Sequence, residues 1–417
     1  MEIKRDVYLN KIIRSRGNGM IKIITGLRRC GKSYLLFNLF YNYLINNGVV
    51  RDAIIRLAFD DVRNEKYLNP VELVNYVESQ LKSGTMNYIL LDEVQLVNNF
   101  TGALNTLLRM DNVDVYVTGS NSHFLSSDIA TEFRGRGDEI HLYPLSFAEF
   151  SSVFNGEYSK AWREYVRYGG LPQVVMLEGK EAKEQYLRNL YHSVYIKDLF
   201  ERNKILKEAP FEDLVKMLAS SIGSPSNPHK LSNTFKSVIN EDLHADTIYK
   251  YIKYLEDAFL IEQAQRFDVK GKKYIGSLSK YYFTDIGLRN AILDFRQQEE
   301  THIMENVIYN ELKTRGLSID VGMVEVRKKS GEVMEKRQLE VDFVVNSGSY
   351  RCYIQSALSI PDKEKMKQES ASLINIKDAF KKIIVVRDDI IPWFSDDGIY
   401  ITGLFDFLLN PKITDMD

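Results

Sequence analysis

The sequence predicts an α/β protein of several domains, on three observations. An apolar strand near the amino terminus runs through a glycine-rich turn into a helix, a second apolar strand ends in two adjacent acids, and the carboxy-terminal third alternates short strands with helices. With 417 residues, 44% of them hydrophobic, the chain exceeds what one core ordinarily holds, so two to four domains are expected. Aromatic residues at 12% exclude a disordered chain. The 55 basic and 57 acidic side chains leave a net charge of −2, so any nucleic-acid surface must be local. Neither Cys30 nor Cys352 belongs to a C-x-x-C pair, which excludes a zinc ribbon and a dithiol redox centre. The charged start MEIKRDVYLNKIIRSRG has no apolar signal core, and no run of about 18 apolar residues occurs anywhere, so a cytoplasmic chain is expected.

The first element is a strand, Ile21 to Thr25, followed by Gly26-x-x-x-x-Gly31-Lys32-Ser33 and a helix running to the stop signal Asn46-Asn47-Gly48. This is a phosphate-binding loop in its required context. The glycines let successive backbone N–H groups point inward, and the helix start adds the positive end of its dipole. Lys32 is expected to reach the β- and γ-phosphates, Ser33 to ligate magnesium, and Tyr34 to join them at the nucleotide. ATP and magnesium are the implied ligands.

The stretch NYILLDEV supplies the second nucleotide element. Tyr88 to Leu91 is an apolar run of the kind a parallel sheet buries, and Asp92 and Glu93 follow it. Asp92 is expected to hold magnesium and Glu93 to orient or deprotonate the attacking water, a second acid that a mere binding switch could do without. A further strand, Val115 to Thr118, ends at Gly119-Ser120-Asn121, where Ser120 and Asn121 are candidate sensors of the γ-phosphate. Arg134 and Arg136, in FRGRG, are candidates to stabilise transition-state charge, in cis or from a neighbouring subunit.

The order GLRRCGKS, YILLDEV, VTGSNS, RGRGDEIHLYPLSFAEF and YGGLPQVV resembles the prokaryotic AAA+ superfamily ATPases that carry a carboxy-terminal domain of unknown function. The resemblance runs over essentially the whole chain. It implies a helical lid over roughly 151–205, with Pro172 of the Gly169-Gly170-Leu171-Pro172 turn near the adenine.

Beyond the lid, a helix, a break at Asn240-Glu241, a capped helix from Ala245-Asp246 to Leu255, and two strand-like runs, Leu260 to Phe267 and Lys280 to Thr284, read as a winged helix-turn-helix. Thr247, Tyr249, Lys250 and Lys253 occupy exposed helical positions, and five basic residues against one acid lie between Gln265 and Lys280, around a Lys270-Gly271-Lys272-Lys273 tip. These are candidates for phosphate contact with duplex DNA, although Glu256 and Asp257 oppose it.

From about residue 300 a helix, the strands LEVDFVV and CYIQSAL, a second helix and the strands KKIIVV and GIYIT make a compact α/β domain. It resembles the PD-(D/E)xK nuclease fold, in which Glu305, Asp342 and Gln355 match the metal-binding positions. Ala357 stands where that fold requires a lysine, and Lys363 or Lys365 on the next helix is the nearest substitute, so a retained fold without cleavage is expected.

The fold expected is therefore a P-loop NTPase parallel sheet with a helical lid, a winged helix-turn-helix domain and a restriction-endonuclease-like α/β domain, over 1–150, 151–205, 206–297 and 298–417. The leading function is an ATP-hydrolysing protein that couples nucleotide state to a DNA or protein partner. An ATP-gated nuclease and a non-hydrolysing regulator or scaffold are the alternatives, and an arginine acting in trans would require an oligomer.

Overall fold

A computed structural model describes residues 2–119, 135–205, 207–239, 243–297, 299–330, 333–348 and 350–414. The chain divides into two compact units. The first holds Met1–Pro144 with Leu171–Gln173 and Asp257–Phe259; the second holds Leu145–Gly170, Val174–Glu256 and Leu260–Asp417.

The first unit is built on a parallel sheet of β1 (Ile21–Gly26), β2 (Ile54–Ala58), β3 (Asn87–Asp92), β4 (Val113–Thr118) and β5 (Gly137–Leu142), in the order β2-β3-β4-β1-β5. Every residue of β1 and β3 is buried, as a sheet covered on both faces requires. On one face Ile23, Leu57, Ile89, Leu91 and Val117 pack against Leu73 and Val77 of the helix Pro70–Gln80 and Leu104 and Leu107 of the helix Phe100–Leu107. Truncating one such residue to alanine would cost roughly 2–5 kcal/mol. The helix after β1 runs over 32–46, with a π-helical stretch at Leu35–Phe40, and stops at Asn46 with Gly48 at φ 85°.

The second unit opens with the helix Phe147–Ser151, held by a capping box in which Ser146 and Glu149 exchange side-chain and backbone hydrogen bonds. Helices Tyr158–Tyr168, Lys180–Leu190, Glu208–Ser220, Pro228–Thr234 and Ala245–Asp257 follow. A mixed sheet then contains β6 (Ile261–Asp268), β7 (Lys273–Phe283), β8 (Ser318–Ser330), β9 (Val333–Ser347), β10 (Tyr350–Ala357), β11 (Lys381–Val386), β12 (Trp393–Phe394) and β13 (Tyr400–Gly403). Their order is β12-β13-β11-β10-β9-β8-β6-β7.

The expected hairpin after the helix Ala245–Asp257 forms, with a second strand longer than its apolar run suggests, but it does not stand free. Arg266, Phe267 and Asp268 of β6 pair in parallel with Val321, Gly322 and Met323 of β8. Backbone pairing between residues 55 positions apart has no local sequence signature, and it puts the strands before and after the expected boundary at Gln297 to Thr301 in one sheet.

Candidate functional site

Because β1, β3 and β4 are parallel and adjacent in the order β3-β4-β1, their carboxy-terminal ends meet along one edge. Gly26, Asp92 and Thr118 are those ends. Gly26 has φ 134°, and a Cβ there would lie 2.1 Å from the carbonyl oxygen of Leu142, so only glycine fits where the loop leaves the sheet. Gly31 starts the helix at φ 103°, with Pro172 against it: a Cβ at Gly31 would sit 3.7 Å from the proline ring.

Lys32 is buried, and its ammonium donates to the carbonyls of Gly26 and Leu27 at 2.9 Å each, lying across the loop. The hydroxyl of Ser33 donates to Asp92 at 3.0 Å. Asp92 is buried; burial raises its carboxyl above the ordinary aspartate range, and the hydrogen bonds from Thr118 and Ser33 offset part of that rise. A dry carboxylate beside a hydroxyl is a hard-oxygen site that a divalent cation satisfies. Glu93 has a left-handed backbone at φ 53°, a half-buried side chain that accepts from the Gln95 amide, and an N–H that donates to Thr118 Oγ1 at 3.1 Å. Tyr34, one position past Ser33, is 39% exposed.

Two residues of this site escaped the sequence reading. Thr118 bonds both acids, and its only signal was a threonine at the end of an apolar strand. Arg5 donates to the carbonyl of Cys30 in the loop at 3.2 Å and to that of Tyr143 after β5 at 2.6 Å, fixing the loop's outer side; nothing in the sequence marks it.

Ser120, Asn121 and Arg134 lie outside the described residues. Arg136 is exposed and precedes β5, with its carbonyl accepting from the N–H of Ile21 at 2.8 Å. Since Ile21 pairs with Gly137 and Gly26 with Leu142, Arg136 sits at the opposite edge of the sheet from the phosphate loop. At about 3.3 Å per residue that is roughly 16 Å along β1, beyond the reach of an arginine side chain. The cis role held open for Arg136 is therefore corrected: it does not serve the phosphate site of its own chain.

Of the candidate DNA contacts, Tyr249, Lys250 and Lys253 are exposed and Thr247 is half-buried. Lys253 is ion-paired with Glu256 at 2.6 Å, and Lys270 is tied to the Glu325 carbonyl at 2.5 Å. Lys280 is a second correction: it is 2% exposed and bonded to two carboxylates, so it is not available to phosphates. Alternation along β7 turns it inward with Tyr282.

In the carboxy-terminal region Glu305 and Asp342 are buried. Asp342 accepts from the N–H and hydroxyl of Ser356 at 2.8 Å each, and the Gln355 amide oxygen lies 3.4 Å from the N–H of Asp342. Ala357 is part of the hydrophobic core with Leu373 and Ile384. Lys363 is exposed and Lys365 is paired with Glu369 at 2.6 Å.

A parallel sheet with a phosphate loop leaving β1 and paired acids leaving β3 defines a P-loop nucleotide-binding ATPase. Residues 18–151 match the family model described as an AAA domain, and residues 159–299 match a domain of unknown function, DUF8612. An uncharacterized protein of Haemophilus influenzae is 32% identical over 98% of this chain and 99% of its own length, and one of Methanocaldococcus jannaschii is 28% identical over 90% and 82%. A Walker-type ATPase of Pyrococcus abyssi shares the fold, with a TM-score of 0.50 and 13% identity, over 70% of this chain and 96% of that one. The chain belongs to the family of the Haemophilus influenzae protein, and its amino-terminal part is an AAA domain of the P-loop ATPase superfamily. Such domains bind and hydrolyse nucleotide. Among the described residues no helix is long and apolar enough to cross a membrane.

Proposed function

We propose that this chain is a magnesium-dependent ATPase of the cytoplasm whose nucleotide state is coupled to a DNA or protein partner. The observation that carries this reading is the convergence of Lys32, Ser33, Asp92 and Glu93 at one edge of the sheet, with Thr118 bonded to both acids. In this reading Lys32 turns from the loop carbonyls to the β- and γ-phosphates, and the loop N–H groups hold their oxygens. Ser33 and Asp92 would hold magnesium, which neutralises charge on the transferring phosphoryl group when bound. Glu93 accepts a proton from the attacking water or orients it, with its backbone fixed by Thr118. Pro172 borders the nucleotide from the lid side of the loop. Ser120 and Asn121 sense the γ-phosphate, Arg134 stabilises transition-state charge in cis or in trans, and Arg136 does so in trans in an assembly.

The domain plan that goes with this reading is an ATPase core over 1–150, a lid over 151–205, a winged helix over 206–297 and a nuclease-type domain without cleavage over 298–417, the last two joined through one sheet. Exposed Tyr249 and Lys250 favour a DNA contact through the helix Ala245–Asp257. The pairing of Lys253 and the burial of Lys280 leave that surface weakly basic, which favours a protein partner instead.

The deciding experiment is steady-state ATP turnover with and without duplex DNA, with Lys32→Ala and Glu93→Gln as controls. Turnover raised by DNA and lost in both variants supports the DNA-coupled form, and turnover indifferent to DNA supports the protein-coupled form. Tight ATP binding without turnover would overturn hydrolysis and leave a nucleotide-dependent regulator.

A further inference from the structure

The acids that match the nuclease-type metal positions do not fit a metal ion, because a cation is already among them. The ammonium of Lys280, carried on β7, lies 2.8 Å from Glu305 Oε1 and 2.7 Å from Glu340 Oε1. The hydroxyl of Tyr282, on the same face of β7, donates to Glu305 Oε1 at 2.6 Å. One Glu305 oxygen thus takes two donors, and Gly223 closes over the carboxylate so tightly that a Cβ there would come within 3.1 Å of both oxygens. Asp342, on β9 with Glu340, spends one oxygen on Ser356.

A divalent ion would need these oxygens at about 2.0–2.6 Å, in the space that the ammonium and the Tyr282 hydroxyl fill. It would also meet a fixed positive charge at hydrogen-bond distance in a site shielded from water, where repulsion is screened least. Among the described residues no group of three or more acids, histidines or cysteines is arranged to hold a metal. Ala357 sits in the apolar core at the place where a catalytic lysine would be required.

We propose that Lys280 is the resident cation of this acidic cluster: its ammonium takes the place of a metal ion, so that the folded chain admits no divalent metal between Glu305 and Asp342. The consequence is a nuclease-type scaffold locked by its own side chain, with the cluster serving to fasten β7 and β9 to the helix Glu300–Thr314. This inference is independent of nucleotide hydrolysis at the phosphate loop, so the failure of either leaves the other standing.

The test is Mn²⁺ binding to the nucleotide-free full-length protein, followed by the magnetic resonance signal of free Mn²⁺ and by thermal unfolding. Wild type and Asp342→Asn are expected to retain the same amount of Mn²⁺, and Mn²⁺ is expected not to change the wild-type melting temperature. Lys280→Met is expected to melt lower than wild type, to gain one Mn²⁺ site, to recover melting temperature on adding Mn²⁺, and to lose that site again in Lys280→Met/Asp342→Asn. Mn²⁺ held by wild type and released by Asp342→Asn would overturn the proposal, as would a folded Lys280→Met that gains none. If Lys280→Met does not fold, the comparison of wild type with Asp342→Asn decides alone.

Discussion

Thr118 donates its hydroxyl to Asp92, one strand away in the sheet, while the same oxygen accepts the N–H of Glu93 at 3.1 Å. A single side chain thus sets both acids. Valine has the same shape without the hydroxyl, so Thr118→Val leaves a buried carboxylate short of a donor and an N–H short of an acceptor. Losses of about 1–3 kcal/mol each are usual for such groups. The variant should unfold at lower urea, and its ATP turnover should fall roughly 10- to 100-fold, with Thr118→Ser restoring most of both. Unchanged turnover in a folded Thr118→Val would remove Thr118 from the site.

Arg136 lies at the far edge of the sheet from Gly26. Arg136→Ala should therefore leave the turnover of dilute, separate chains unchanged. If the wild type gains turnover as chains assemble, the variant should miss that gain. A concentration series compared with the sedimentation behaviour of both proteins checks it; an equal loss at every concentration would contradict the placement.

Asp285 is fully buried, and burial pushes its carboxyl up to about 6, against hydrogen bonds from the N–H groups of Leu288, Gly170 and Gly287. The folded chain holds this proton over a range where the unfolded chain, near the ordinary value of 3.8, has lost it. The contribution to stability is therefore full below about 3.8 and is lost as pH rises to about 6, at up to ~1.4 kcal/mol per pH unit. Urea unfolding of wild type and Asp285→Asn across that range should differ by this slope. Parallel curves would show that Asp285 keeps an ordinary carboxyl.

Residues that announce themselves through their neighbours were the ones the sequence revealed. Gly26, Gly31, Lys32 and Ser33 are specified by spacing within one turn, and Asp92 and Glu93 by the apolar run before them. Lys280 looked like part of a basic, solvated hairpin because the carboxylates that draw it inward lie 25 and 60 positions later. Arg136 looked able to serve the loop of its own chain because its distance from that loop is set by the register of β5 on β1, which no local pattern encodes. Arg5 and Thr118 act through contacts made only after folding, with the loop in one case and the acids in the other.

The parallel pairing of β6 with β8 bears on how this chain could be rearranged by recombination. An exchange of everything after residue 298 for the tail of another protein would look harmless in the sequence, since it falls between a helix and a helix. It would instead tear a seam of main-chain hydrogen bonds, baring strand edges that invite foreign strands, and it would strand the ammonium of Lys280 without Glu305 and Glu340. The helical stretch and the strands that follow it are thus one heritable block, exchanged whole or not at all.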